Sequence, residues 1–308
     1  MKKILITGAT GLIGRELCKT LSSRGDELTI FSTNVERAKT ILPFAKEVIA
    51  WKDYEKDYST YIEGKDAVIH LAGASVAGKR WTINYKNEIY DSRIHTTNNL
   101  VSSIALCKDK PKVFISASAI GFYGEGGSSV LTEASPNGKD FLSNVCMDWE
   151  KASGRLETFN MRRAIVRTGI VLSTNDGALK KMLLPFQFYL GGPLGNGRQW
   201  FSWVHIADII SLYLFLLDNQ KAKGIFNAVS PQPVQMKTFA DTLGKVLHKP
   251  SIFSVPKFVL RLVMGESASA ILESQKVMPE ALLQAGFKFK YENLEEALND
   301  LLKIKPVV

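Results

Sequence analysis

Three glycines carry the first recognisable chemistry in this chain. Gly8-Ala9-Thr10-Gly11-Leu12-Ile13-Gly14 follows the apolar run Lys3–Thr7 and leads into Leu12, Ile13, Leu17 and Leu21 at helical spacing. A strand that turns at once into a helix brings the unpaired N–H groups and partial positive charge of the helix N-terminus to the turn. Gly8 permits the tight turn, Gly11 removes the side chain where a diphosphate must meet backbone, and Gly14 lets helix and strand pack closely. The pattern predicts a dinucleotide site at Gly8, Thr10, Gly11, Leu12, Ile13 and Gly14. The plain alternative is a glycine turn made for packing alone.

The end of the next apolar run decides which dinucleotide fits. An acidic residue there would accept from the ribose 2′-hydroxyl of NAD and repel a 2′-phosphate. This chain has Phe31-Ser32-Thr33-Asn34, then Glu36, Arg37 and Lys39. The hydroxyls of Ser32 and Thr33 and the cation of Arg37 favour NADP, with NAD the weaker fit.

The elements that must position these groups alternate in period. Strand-length apolar runs occupy Lys3–Thr7, Glu27–Ser32, 47–51, 67–72, 112–117 and 163–172, with helical patterns between them, the longest over 84–106. Such βαβ alternation predicts an α/β fold with a doubly wound parallel sheet. After residue 172 the pattern changes. Residues 175–200 are rich in Gly, Pro, Leu and Phe, Asp208 is placed to cap a helix over 209–217, and 224–229 reads as a last strand. From residue 231 onward the pattern is of short helices. The expected organisation is a dinucleotide-binding domain over 1–230, with 174–200 turned toward the substrate side, and a smaller helical lobe over 231–308.

Composition narrows the class. The chain has 308 residues, 45% hydrophobic and 22% charged, with 39 Lys+Arg against 30 Asp+Glu and a formal charge of +9. The cations are scattered rather than blocked, which suits a solvated basic surface or an anionic ligand and gives no support for nucleic-acid binding. Three cysteines, Cys18, Cys107 and Cys146, lack metal-ligand spacing, so neither a disulfide framework nor a metal site is expected. The first apolar run is too short for a signal peptide, and the longest, 206–217, is too short to span a bilayer. A soluble cytoplasmic protein is the expectation.

Several stretches together resemble one family. Thr7 to Gly14, His70-Leu71-Ala72-Gly73, Ser116 to Gly124, and Gly197-Arg-Gln-Trp-Phe-Ser-Trp-Val-His-Ile-Ala-Asp208 are similar to the extended short-chain dehydrogenase/reductases. More narrowly, the chain resembles the NAD-dependent epimerase/dehydratase family in its SulA-like branch, usually labelled nucleoside-diphosphate-sugar epimerase. Phe226 to Pro231, Glu273-Ser-Gln-Lys-Val-Met-Pro279 and Gly286-Phe-Lys-Phe289 match that branch's C-terminal helical domain. The resemblance implies a Rossmann-type fold. It puts Leu71, Ala72 and Gly73 against the adenosine and its ribose, Glu88 and Arg93 facing the cofactor, and Val171 toward the nicotinamide. It also implies a homodimer through the long helices near 84–106 and 140–160.

Catalysis in the superfamily uses a Ser or Thr with a Tyr-x-x-x-Lys pair, the lysine lowering the tyrosine pKa from about 10 so that it moves a proton at neutral pH. Ser118 matches the serine, but Cys146 stands at the tyrosine position and Glu150 at the lysine position. A carboxylate one turn from a thiol raises its pKa, so Cys146 is expected to stay neutral. The literal Tyr61-Ile-Glu-Gly-Lys65 lies upstream of Ser118, away from the carboxyl ends of the strands, and reads as a decoy. Tyr123, Cys146, Glu150 and His205 are the remaining proton-transfer candidates. Arg198 and Trp200 are expected on the substrate side, where arginine would suit a small polar, anionic substrate such as a sugar nucleotide. Two functions follow: an NADP-dependent oxidoreductase or epimerase lacking the usual pair, or a weakly catalytic dinucleotide-binding sensor or interaction factor linked to cell division.

Overall fold

A computed structural model describes residues 1–303. Seven strands form one sheet: β1 (Lys3–Thr7), β2 (Glu27–Ser32), β3 (Glu47–Ala50), β4 (Ala67–His70), β5 (Val113–Ala119), β6 (Arg162–Thr168) and β7 (Gly224–Ala228). Their order across the sheet is β7-β6-β5-β4-β1-β2-β3. Every pairing is parallel. The reason lies in the strands themselves. Ile4, Leu5 and Ile6 are all fully buried, as are Val68 and Ile69, because helices cover both faces of a parallel sheet.

The longer helices are α1 (Leu12–Ser23), α2 (Val35–Ile41), α3 (Ile83–Leu106), α4 (Phe141–Ala152), α5 (Ala178–Gln187), α6 (Ile206–Asp218), α7 (Met236–Leu247), α8 (Lys257–Met264) and α9 (Leu294–Leu302). Leu17 and Leu21 of α1 pack with Ile209, Leu212 and Leu216 of α6 on one face of the sheet. On the other, Leu100 and Ile104 of α3 meet Leu5, Val68 and Phe114. The strand order reverses between β1 and β4, and that switch point opens a crevice at the strands' carboxyl ends.

Two local expectations are corrected. The expected single strand over 163–172 breaks at Gly169, where a Cβ would stand 2.6 Å from Val229 Cγ1 and 2.7 Å from Ser202 O. Beyond it, Ile170–Leu172 leaves the main sheet and pairs with Trp203–His205 instead. The helix expected to start after Asp208 starts at Ile206, because the His205 imidazole Nδ1 caps it by accepting from Ala207 N (3.0 Å). Asp208 is inside the first turn, and its carboxylate accepts from Lys290 N and Tyr291 N (2.7 and 3.0 Å), fastening the C-terminal segment to the sheet domain.

The C-terminal residues share both cores. Leu282, Phe287 and Phe289 join the α1–α6 cluster, while Leu294, Ala297 and Leu298 of α9 pack with Phe239 and Leu243 of α7 and with Trp203. The last five residues of the expected lobe, 304–308, lie outside the described residues. No described helix is long and apolar enough to cross a membrane. No described group of three His, Cys, Asp or Glu residues is placed to hold a metal ion.

Candidate functional site

The crevice begins where β1 ends. Gly8 sits at φ +66°, and a Cβ there would lie 2.5 Å from the carbonyl carbon of Leu71. A side chain on Gly14 would run into Gly8 O and the backbone of Ala9. Gly11 differs: beyond Gly8 O at 3.2 Å its missing side chain faces open space, as an approaching diphosphate requires. Helix α1 has no side-chain cap and no acidic residue in its first turn. The N–H groups of Leu12, Ile13 and Gly14 therefore leave the helix end without an intrahelical partner. This is an open, electropositive cradle, and it fits a diphosphate.

A cavity of about 540 Å³ lies beside the cradle. Gly8 and Thr10 form one wall, Ser32 and Thr33 the end of β2, and Ala72, Gly73 and Glu88 the opposite side. Trp51 and Tyr54 also line it, although nothing in their local sequence marks them. Arg37 is exposed on the first turn of α2, where its backbone N–H bonds Asn34 Oδ1 (3.0 Å). Behind the wall, His70 Nδ1 is 2.7 Å from Thr7 Oγ1, and that oxygen accepts from Ala72 N (3.2 Å). Burial, with Arg93 adding to it, pulls the His70 pKa down to about 3, so the ring is neutral and serves to position Thr7 and the Ala72 backbone. Val171 is part-buried against the α1–α6 core, with its carbonyl 3.7 Å from where a Cβ on Gly177 would stand.

Arg93 stands at a junction. Its guanidinium donates to Ile89 O (2.9 Å) and Ala74 O (3.0 Å), stacks 5.0 Å from the Trp149 ring centre, and lies against Gly73. The same group lines a second cavity of about 210 Å³. Leu142, Val145, Ile170, Phe201 and Ile271 give that cavity apolar walls, and Cys146, Gln199, Trp200, Glu273 and Gln275 supply its polar points. One cation thus lines the small pocket and packs behind Gly73, a wall residue of the larger cleft.

The expected catalytic residues gather, but mostly behind the pocket wall. Ser118 Oγ donates to Glu150 Oε1 (2.7 Å), and Arg167 clamps both Glu150 oxygens with Nε and Nη2 at 2.8 Å. Arg167 Nη1 also reaches the Tyr123 hydroxyl (3.0 Å), which donates to Asn227 Oδ1 (2.7 Å). Phe122 covers the guanidinium at 3.4 Å. Ser118, Tyr123 and Arg167 are 4%, 3% and 2% exposed, and none of them, nor Glu150, lines either cavity. Burial pushes the Tyr123 pKa up against the opposing pull of Arg167. Cys146 does reach the cavity, and its thiol is pushed up to about 12. The direction is the expected one, but burial leads and the Glu150 charge is a lesser cause, since Arg167 pairs with that carboxylate.

The remaining candidates stand elsewhere. Arg198 is exposed, its backbone N bonded to Asn196 Oδ1 (3.0 Å), and the neighbours Gln199 and Trp200 face the pocket in its place. His205 is held as the cap of α6, stacked on Tyr291 with its Nε2 3.3 Å from Asp300. Tyr61 packs under the α3 face of the sheet, and Lys65 Nζ bonds Thr29 Oγ1 (2.7 Å), far from Ser118 in the chain and outside both cavities. Glu273 is the titratable residue that the sequence left without a role. It follows a short helical turn in the C-terminal segment, with no spacing to a partner that would have marked it.

A parallel seven-strand sheet, a glycine cradle at its switch point and a side pocket roofed by a C-terminal segment define a dinucleotide-binding protein of the short-chain dehydrogenase/reductase type. The chain belongs to the NAD dependent epimerase/dehydratase family, which matches residues 4–228, and residues 255–301 match a domain of unknown function (DUF1731). It is 38% identical over 305 residues to the epimerase family protein SDR39U1 homolog, chloroplastic, of Arabidopsis thaliana, covering 97% of this chain and 86% of the plant chain. It is 30% identical to the human epimerase family protein SDR39U1 (isoform 2), solved with NADPH, with a TM-score of 0.88 over 98% of this chain and 100% of the human one. The nucleoside-diphosphate sugar epimerase from Corynebacterium glutamicum is 31% identical, with a TM-score of 0.76 over 98% of this chain and 58% of that chain.

Proposed function

We propose that the protein is an NADP(H)-dependent enzyme of oxidoreductase or epimerase type, acting on a small polar, anionic substrate such as a sugar nucleotide. The observation that carries this reading is Arg93, which lines the 210 Å³ pocket and lies against Gly73, a wall residue of the cofactor-sized cleft. The nicotinamide, when bound, supplies hydride chemistry. The chain's own groups do the rest. The N–H groups of Leu12, Ile13 and Gly14 hold the diphosphate, while Ser32 and Thr33, with Arg37 above them, receive the ribose 2′-phosphate. Ala72 and Gly73 admit the adenosine side closely, with Leu71 behind them and Glu88 at the rim, while Val171 lies toward the nicotinamide. Arg93 attracts the substrate's oxygen or anionic group into the pocket, and the apolar walls exclude water around the reacting carbon.

The substrate side is assigned to residues 231–308 together with 174–200, since Gln199, Trp200, Glu273 and Gln275 reach the pocket from those segments. A homodimer through the faces of α3 and α4 belongs to the same reading.

The test is a panel of small carbonyl compounds offered to the NADPH-loaded protein, with absorbance reporting oxidation of the dinucleotide, and of UDP-sugars offered to the NADP+-loaded protein, with NMR reporting inversion at sugar carbons. Turnover of any member supports the enzyme. NADPH binding with no reaction across the panel favours the second reading, a dinucleotide-binding sensor or interaction factor. The observation behind that alternative is the Ser118–Glu150–Arg167–Tyr123 network, which is closed on itself.

A further inference from the structure

Three titratable residues line the small pocket: Arg93, Cys146 and Glu273. Arg93 keeps its proton throughout the physiological range. Cys146 is buried and its thiol is held near 12. Neither exchanges a proton near neutrality, and Tyr123 and Glu150 stand behind the wall.

Glu273 is placed differently. Its backbone N–H closes the turn Ser269–Leu272 by bonding Ser269 O (3.0 Å), and the residue lines two cavities. One is the 210 Å³ pocket. The other, of about 480 Å³, is lined by Lys86, Asp140, Arg261 and Glu266 as well as Glu273. The Glu273 Oε2 atom is buried and has no hydrogen-bond partner. A carboxylate oxygen left unpaired in this way is costly unless it carries a proton or meets a ligand.

We propose that Glu273 is the residue that moves the proton in the substrate pocket, in place of the family's absent Tyr-x-x-x-Lys pair. The proposal rests on the NADP(H)-dependent reading given above. Burial, reinforced by Asp140 and Glu125, pushes the Glu273 carboxyl up to about 7, so both protonation states are populated near neutrality. The nearby cations do not cancel this. Lys86 is engaged by Glu266, Arg261 is exposed on α8, and Arg93 is held by two backbone carbonyls.

In the reductive direction the Glu273 carboxyl gives its proton to a substrate carbonyl oxygen as hydride from reduced nicotinamide reaches the carbonyl carbon. The C=O π bond is replaced by C–H and O–H bonds, the carbonyl gains two electrons and the dinucleotide loses two. Glu273 remains as carboxylate and regains a proton from water in the outer cavity. The oxidative direction runs the same transfers backward.

The experiment has two readouts. In protein labelled with 13C at the glutamate carboxyl carbon, one resonance titrates near neutral pH and is missing from Glu273→Gln. With NADPH and phenanthrenequinone as the carbonyl probe, Glu273→Gln lowers kcat by about 100-fold or more while calorimetric NADPH affinity is unchanged. Glu273→Asp recovers part of the rate and shifts the pH profile. Thermal unfolding confirms that both variants fold.

The proposal is overturned if every glutamate titrates below about pH 5.5, the ordinary carboxylate range. It is also overturned if NADPH binds and the wild type leaves the quinone unreduced, or if Glu273→Gln reduces it as fast as the wild type. Failure of NADPH to bind the wild type at all would instead remove the underlying cofactor reading.

Discussion

The glycine cradle and the corner proposed for proton transfer are built by different means. The cradle is backbone: Gly8, Gly11 and Gly14 matter for the side chains they lack, and the N–H groups at the start of α1 are left without an intrahelical partner. All of it comes from one strand, one turn and one helix. The corner is made of side chains contributed by β5, α4, β6 and the C-terminal segment, and its most polar members, Glu150 and Arg167, neutralise each other out of reach of the pocket. A site made of backbone tolerates sequence change around its glycines. A site made of side chains changes chemistry when two positions change.

The largest effect is expected at the cradle. Gly8→Ala forces a Cβ into the Leu71 carbonyl at a positive φ, with about 1–3 kcal/mol of strain, and calorimetry should show NADPH binding lost. Retained binding would show that the turn does not grip the diphosphate.

The corner should fail differently, in stability. Arg167→Met leaves the Glu150 carboxylate buried without its partner, and urea unfolding should show a loss of about 3–5 kcal/mol. Adding Glu150→Gln should recover much of that loss. NADPH affinity should change little in either variant, because neither residue lines the cofactor cleft.

An acid titration bears on both regions. The folded-state pKa of His70 is depressed to about 3 from an ordinary 6.5. The unfolded chain therefore binds a proton first as pH falls, and stability drops between about pH 6.5 and 3 by at most about 1.4 kcal/mol per unit. His70→Asn should flatten that part of the pH–stability curve. An unchanged slope would place the titration on other groups.

The smallest expected effect is at Arg37. Because its side chain is exposed on the first turn of α2, a few residues after Ser32 and Thr33, Arg37→Ala should weaken NADPH by about tenfold, roughly 1.4 kcal/mol, and leave NADH unaffected. Equal losses for both would assign Arg37 to something other than the 2′-phosphate.

What the sequence disclosed follows the same division. The seven-strand parallel sheet and the glycine turn were legible because strand burial and phosphate geometry write themselves into short contiguous stretches such as Lys3–Gly14. The end of the sixth strand was not, because only Val229 and Ser202, distant in the chain, show why Gly169 breaks it. Cys146 and Glu150 were legible as departures from a known spacing, but nothing local told that Arg167 would pair with the carboxylate. Asp208 has the composition of a helix cap, yet it ties down Lys290 and Tyr291, a contact across 82 residues. Glu273 stood out only as the start of a family-like stretch, and its place in the pocket did not show for the same reason: its surroundings come from α4, the Gly124–Gly127 loop and its own short turn.

Whether the glycine cradle grips a pyridine dinucleotide is read by calorimetric titration of the purified protein with NADPH and, separately, with NADH. The structure predicts saturable binding of NADPH at one site per chain, with NADH weaker by about tenfold or more. No heat of binding with either nucleotide would contradict it.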